Sequence, residues 1–175
     1  MYQNQLNCHF EVKLPLFPTH IQISKNKWIK VSGNSLWSGM NFFIRAKIKQ
    51  QLSSYCKPFI SSLEPLQGKI ATGLDVYLPL NYGDVRWNKK LACATHKPIT
   101  DKYEPRWDLK NFTFFWTKVL DDCLVEYGKI PDDNVSVLCE DLGSRLFIVD
   151  DLQERLLVYK IKILDVRCIN NKERT

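Results

Sequence analysis

The chain has 175 residues, of which 45% are hydrophobic and 25% charged, a composition that suits one folded domain with a real core and excludes a disordered chain. Lys and Arg outnumber Asp and Glu by 25 to 19, a net charge of +6, so an acidic partner is expected and nucleic acid is the first candidate. No apolar run approaches the roughly 20 residues that span a bilayer, and the opening MYQNQLNCHFEVKL lacks the basic and apolar regions of a signal peptide, so a cytoplasmic protein without membrane contact is expected.

Phe10-Glu11-Val12-Lys13-Leu14 alternates apolar and polar residues, the pattern of a half-buried strand, and the two prolines of LPLFPTH end it. IQISKNKWIKVS predicts a strand, a turn at Lys25-Asn26-Lys27 and a second short strand. From Met40 onward, Phe43, Ile44, Ala46, Ile48 and Leu52 have helical spacing, with Arg45, Lys47 and Lys49 toward solvent or a ligand and Pro58 as the expected end. The three cations do not share one face, so one or two of them are expected to touch nucleic acid. KIATGLDVYLPL predicts a strand. Residues 81 to 106 lack periodicity and are expected to form a long functional loop carrying Arg86, Trp87, Lys89, Lys90, Arg106 and Trp107. A second helix is predicted from Leu109 to Glu126, stopped by Gly128 and Pro131. DDNVSVLCEDL reads as a turn into a strand, and SRLFIVDDLQ and ERLLVYKIKIL as two more strands joined around Asp150-Asp151. The expected class is α+β, a single domain over residues 1–168 with a mixed β-sheet and two main helices, followed by a polar tail at 169–175.

Six cysteines include no CxxC pair and are expected as reduced thiols. Cys93-x-x-His96 has no second ligand pair, and no phosphate-binding GxxxxGK[ST] occurs. Phe112, Phe114, Phe115 and Trp116 cannot all face one way on a helix, so most are expected in the core or at a dimer interface. Acidic residues bracket the second helix: Asp108 at its entrance and Asp132-Asp133 beyond its exit. From spacing alone Asp108 reads first as a helix N-cap and second as a metal ligand, and Pro-Asp-Asp-Asn reads as a turn.

The order RWDLKN, WTKVLDDCL, IPDDNV resembles the signature of the RusA family of Holliday junction resolvases. That family carries Asp-x-Asp-Asn, a Lys three residues later, Asp-Ala-Leu, and Asp-Asp before a strand. The likeness extends to a strand with a Leu-Pro turn, a helix, an extended segment ending in Pro, and a final β-hairpin. It is specific between Arg106 and Val135. The resemblance implies a homodimeric, Mg²⁺- or Mn²⁺-dependent endodeoxyribonuclease that resolves four-way junctions, in the nucleoid or in a phage-infected cell. Residue by residue, Asp108 matches the first metal-binding Asp and Asn111 the motif's Asn. With four residues inserted after Asn111, about one helical turn, Lys118 matches the motif's DNA-contacting Lys. Asp122 then matches the Asp of Asp-Ala-Leu, and Asp133, with Asp132 beside it, matches the last catalytic Asp. The resemblance thus implies catalysis by Asp108, Asp133 and Asp132, metal binding by Asp108 and Asp133, and DNA contact by Lys118, Asn111, Lys110, Arg106, Lys89 and Lys90.

One position departs from the pattern: Lys110 stands where the family has its second Asp. Three accounts are open. Another carboxylate (Asp101, Glu104 or Asp122) replaces it; or the protein is a catalytically inactive binder of branched DNA; or Asp108-Leu109-Lys110 works as a D-x-K unit, with Asp on the metal and Lys orienting water.

Overall fold

The computed structural model describes residues 9–31, 41–79, 84–88, 93–97 and 109–164. In chain order the elements are β1 (His9–Pro15), β2 (His20–Ser24), β3 (Lys27–Lys30), α1 (Phe42–Ile60), β4 (Lys69–Pro79), β5 (Asp84–Asn88), β6 (Cys93–Lys97), α2 (Leu109–Glu126), β7 (Leu138–Val149), a 3₁₀ turn (Leu152–Glu154) and β8 (Leu156–Leu164). This is a small α+β domain whose described residues include two α-helices and two mixed sheets, ordered β1-β8-β4-β7 and β3-β2-β5-β6.

In the larger sheet, β8 lies antiparallel to both β1 and β4, while β7 runs parallel to β4. Period-two alternation puts Ile70, Leu74, Val76 and Leu78 of β4 on the same face as Leu157, Tyr159 and Ile161 of β8 and Val12 and Leu14 of β1. All are buried, and the two helices cover them with Leu52, Tyr55, Cys56 and Ile60 from α1 and Phe112, Trp116, Leu120 and Leu124 from α2. Trp116 is fully buried among Phe17, Tyr55, Phe112 and Phe115, whose ring centroids lie 6.0–6.4 Å from its own. On the opposite face, Asp75 of β4 ties its neighbours together, accepting hydrogen bonds from Arg145 of β7 at 2.6 and 3.1 Å and from Lys160 of β8 at 2.8 Å. Burial pushes the Asp75 carboxyl up, but those two cations outweigh it and hold it below the usual carboxylate range. Gly143 bulges β7 at a positive φ of 75°, and its carbonyl would sit 2.6 Å from a Cβ at position 73, so the close β4–β7 approach requires glycine at Gly73.

Several sequence expectations change here. Segment 81–106 is not loop throughout: β5 and β6 pair antiparallel, and β5 joins β2 in parallel. The last two strands are not a hairpin, because β4 lies between β7 and β8. α1 does not stop at Pro58 but runs to Ile60, with Ser61 N–H bonded to the Lys57 carbonyl at 2.9 Å. A proline in the last turn removes a single helical hydrogen bond, which the helix end tolerates. Phe43 and Ala46, expected on the apolar face of α1, are exposed. Among the aromatics of α2, Phe112, Phe115 and Trp116 are core and Phe114 is 63% exposed. Cys56, Cys123 and Cys139 are free thiols. Among the described residues, no helix is long and apolar enough to cross a membrane.

Candidate functional site

α1 and α2 pack side by side, and the loop after α2 returns to close one end of the gap between them. The result is an open cleft of about 370 Å³ lined by Arg45, Ile48 and Lys49 of α1, Phe115, Lys118, Val119 and Asp122 of α2, and Asp133 of the loop. Its floor is apolar and its rim is ionic.

Helical spacing explains the rim. Arg45 and Lys49 are four residues apart, as are Lys118 and Asp122, so each pair shares a face. Lys47 is turned away and donates to the Ile23 carbonyl across the interface with β2. Asp133 is aimed by the loop. Gly128 takes a positive φ of 65° past the end of α2, and Lys129 N–H returns to the Leu124 carbonyl at 2.7 Å. Ile130 anchors the segment in the core. Asp132 then folds the turn around itself, accepting from Asp133 N–H at 2.7 Å and Asn134 Nδ2 at 2.6 Å. The carboxylate of Asp132 is thereby used in shaping the loop, while that of Asp133 reaches back to α2.

Lys118 is the hub. Its ammonium donates to Asp133 and lies 3.2 Å from Asp122, and Lys49 meets Asp122 from the other wall at 2.6 Å. The carboxylates are recessed and the cations lie outward: Asp122 is 18% exposed and Lys49 56%. The Lys118 hydrogen bond lowers the Asp133 carboxyl below its ordinary value. Partial burial would lower Lys118 itself, but its bonds to Asp133 and Asp122 prevail and raise it. Three cations against two carboxylates leave the cleft with one net positive charge, which suits a phosphate.

The remaining candidates are spread more widely. Lys110 is exposed and lines a different cleft of about 450 Å³ with Thr113, Phe114 and Thr117 of α2 and Asp141 and Ser144 of β7. Asn111 is half-buried one residue on. Asp108, Arg106, Lys89, Lys90, Asp101 and Glu104 lie outside the described residues. The first residue of α2 is Leu109, and the nine-residue rise to Lys118 is about 13 Å along the axis, so the head of the helix and the Lys118 cluster are separate places. Sequence reasoning expected one or two of Arg45, Lys47 and Lys49 to touch nucleic acid without saying which; Lys47 does not line the cleft, whereas Arg45 and Lys49 do. Their i,i+4 spacing was the available signal, but nothing local to α1 says that α2 lies beside it.

Two carboxylates facing one point fit a hard divalent cation, which takes oxygen ligands. In this arrangement the Lys118 ammonium fills that point. Among the described residues, no three of His, Cys, Asp and Glu converge as a ready metal site. The chain matches no family model and no curated protein.

Proposed function

We propose that the chain is a RusA-like structure-specific endodeoxyribonuclease that hydrolyses phosphodiester bonds in four-way junctions, acting as a homodimer with Mg²⁺ or Mn²⁺. The observation that carries this reading is the convergence of Lys118, Asp122 and Asp133 in one cationic cleft. These are the residues that the resemblance matches in order to the family's Lys, the Asp of Asp-Ala-Leu and the last Asp. The four-residue insertion assumed after Asn111 is supported by the same contact, since it is Lys118 that meets Asp133.

In this reading Asp133 and Asp122 hold the metal. Asp108, the other metal ligand that the resemblance implies, lies outside the described residues. A bound divalent ion supplies an activated water and neutralises charge on the scissile phosphate. Lys118 bridges the two carboxylates until then, and afterwards is free to meet the phosphate. Arg45 and Lys49 line the facing wall. Two copies related by a two-fold axis would set two clefts against a symmetric junction.

A second reading has its own observation. Both carboxylates of the cleft are already neutralised by Lys118 and Lys49, and Lys110 replaces a family Asp, which favours a branched-DNA-binding protein without nuclease activity. Incubating a labelled synthetic four-way junction with the protein in Mg²⁺ and then Mn²⁺, beside a linear duplex, separates the two. Symmetric nicks on the junction alone are expected. Tight junction binding with no nick in either metal, and no heat on Mg²⁺ titration, would mean binding without chemistry.

A further inference from the structure

Phe42 and Phe43 open α1 and are 71% and 79% exposed. Their rings meet edge to face, with centroids 5.9 Å apart. Asn41 holds this first turn in place, its side chain accepting from Phe43 N–H at 2.9 Å. Removing either ring from water is favourable, so two exposed phenyl rings on an ordered turn mark a surface with something to cover it.

The neighbouring residues indicate what that is. Phe42, Arg45 and Lys49 follow one another at spacings of three and four, so they form one stripe, about 10 Å long, running from the rings into the cleft. Within that stripe Lys49 is committed to Asp122. Arg45 lines the cleft and makes no ion pair among the described residues. Its planar fork is the side chain best built for a phosphate.

We propose that the stripe seats an unpaired nucleic-acid strand: Phe42 and Phe43 stack on exposed bases, and Arg45 grips a backbone phosphate at the cleft. Stacking needs a free base face, which a single strand or a branch point offers and an intact duplex hides. A second copy of the chain suits the stripe less well. A two-fold interface centred there would bring Arg45 against its own equivalent. The inference rests on the nucleic-acid reading of the cleft, but not on the cleft being catalytic.

Fluorescence anisotropy in EDTA tests it, with labelled oligothymidylate, a four-way junction and a blunt duplex as ligands. The Phe42→Ala/Phe43→Ala double variant should bind oligothymidylate roughly 5- to 150-fold more weakly than wild type and leave duplex binding within about twofold. Because the rings are exposed, its melting temperature should match wild type. Arg45→Ala should weaken all three ligands alike and flatten the salt dependence by about one phosphate contact. Unchanged oligothymidylate binding by the double variant overturns the proposal, as does equal loss on all three ligands. So does a shift from dimer to monomer in sedimentation without a change in DNA affinity, which would mean that the rings cover a second copy. A wild-type protein that binds through the rings but cuts no junction defeats only the nuclease reading. One that cuts junctions while the double variant binds normally defeats only the stacking platform.

Discussion

Asp121 and Asp122 are consecutive residues on α2, and their carboxylates work in opposite surroundings. One step along a helix turns the side chain by about 100°. That step carries Asp121 into the sheet, where it accepts from the Tyr159 hydroxyl and is hydrogen-bonded with Thr72. It carries Asp122 into the cleft, between Lys49 and Lys118. Burial pushes the Asp121 carboxyl up to about 6, against the pull of its two hydroxyl partners and of Lys118 nearby. The lesson is that residue type does not mark a site. The carboxylate with hydroxyl partners and little solvent is a structural group. The one with cations and an open cleft is a group that can exchange partners.

The largest expected effect lies on the cleft side. Asp133→Asn removes a carboxylate that the proposed metal needs, and should lower junction cleavage more than about a hundredfold. Junction binding should be kept or strengthened, since a negative charge facing phosphate is gone. Gel-shift and cleavage assays on the same preparation read both.

The sheet side gives the next effect, on stability rather than activity. The Asp121 carboxyl is raised in the folded state, so its contribution is fully present below the unfolded value near 4 and is lost as pH rises through about 6. The loss amounts to up to about 3 kcal/mol between those limits. Asn at this position keeps an acceptor for Tyr159 and a donor for Thr72 and has no charge to bury. Asp121→Asn should therefore raise the melting temperature at pH 8 and leave it nearly unchanged at pH 4. Asp133 and Asp75 are shifted the other way and lose stability as pH falls, so the comparison is made between variant and wild type at each pH. An equal change at both pH values would refute the burial argument.

The smallest effect on stability should come from Lys118→Ala. Lys118 is 43% exposed, and ion pairs of that kind contribute about 1 kcal/mol or less. Its effect on metal should be larger: with the ammonium gone, Asp122 and Asp133 lose their internal cation, and Mn²⁺ should bind more tightly by calorimetry. Weaker Mn²⁺ binding would mean that the two carboxylates do not form the metal pair.

Part of the cleft, though not the contrast with Asp121, was legible before folding. The bounds of α2 followed from its apolar spacing and from Gly128 and Pro131, and the motif order singled out Lys118, Asp122 and Asp133 without saying that they meet. What was not legible depends on distant chain. Arg45 and Lys49 join the cleft only because α1 and α2 pack together, some 70 residues apart in sequence. The placement of β4 between β7 and β8 is likewise a non-local choice, invisible to alternation within each strand. β5 and β6 are only five residues each, too short for period two to stand out among the charges. Phe43 and Ala46 depart from the amphipathic reading of α1, since both are exposed.

The most direct test of the contrast is to assay Asp133→Asn and Asp121→Asn side by side on a labelled four-way junction in Mg²⁺. The account predicts that Asp121→Asn cuts like wild type, whereas Asp133→Asn binds the junction and does not cut it. Normal cleavage by Asp133→Asn would contradict the assignment of the cleft as the catalytic site.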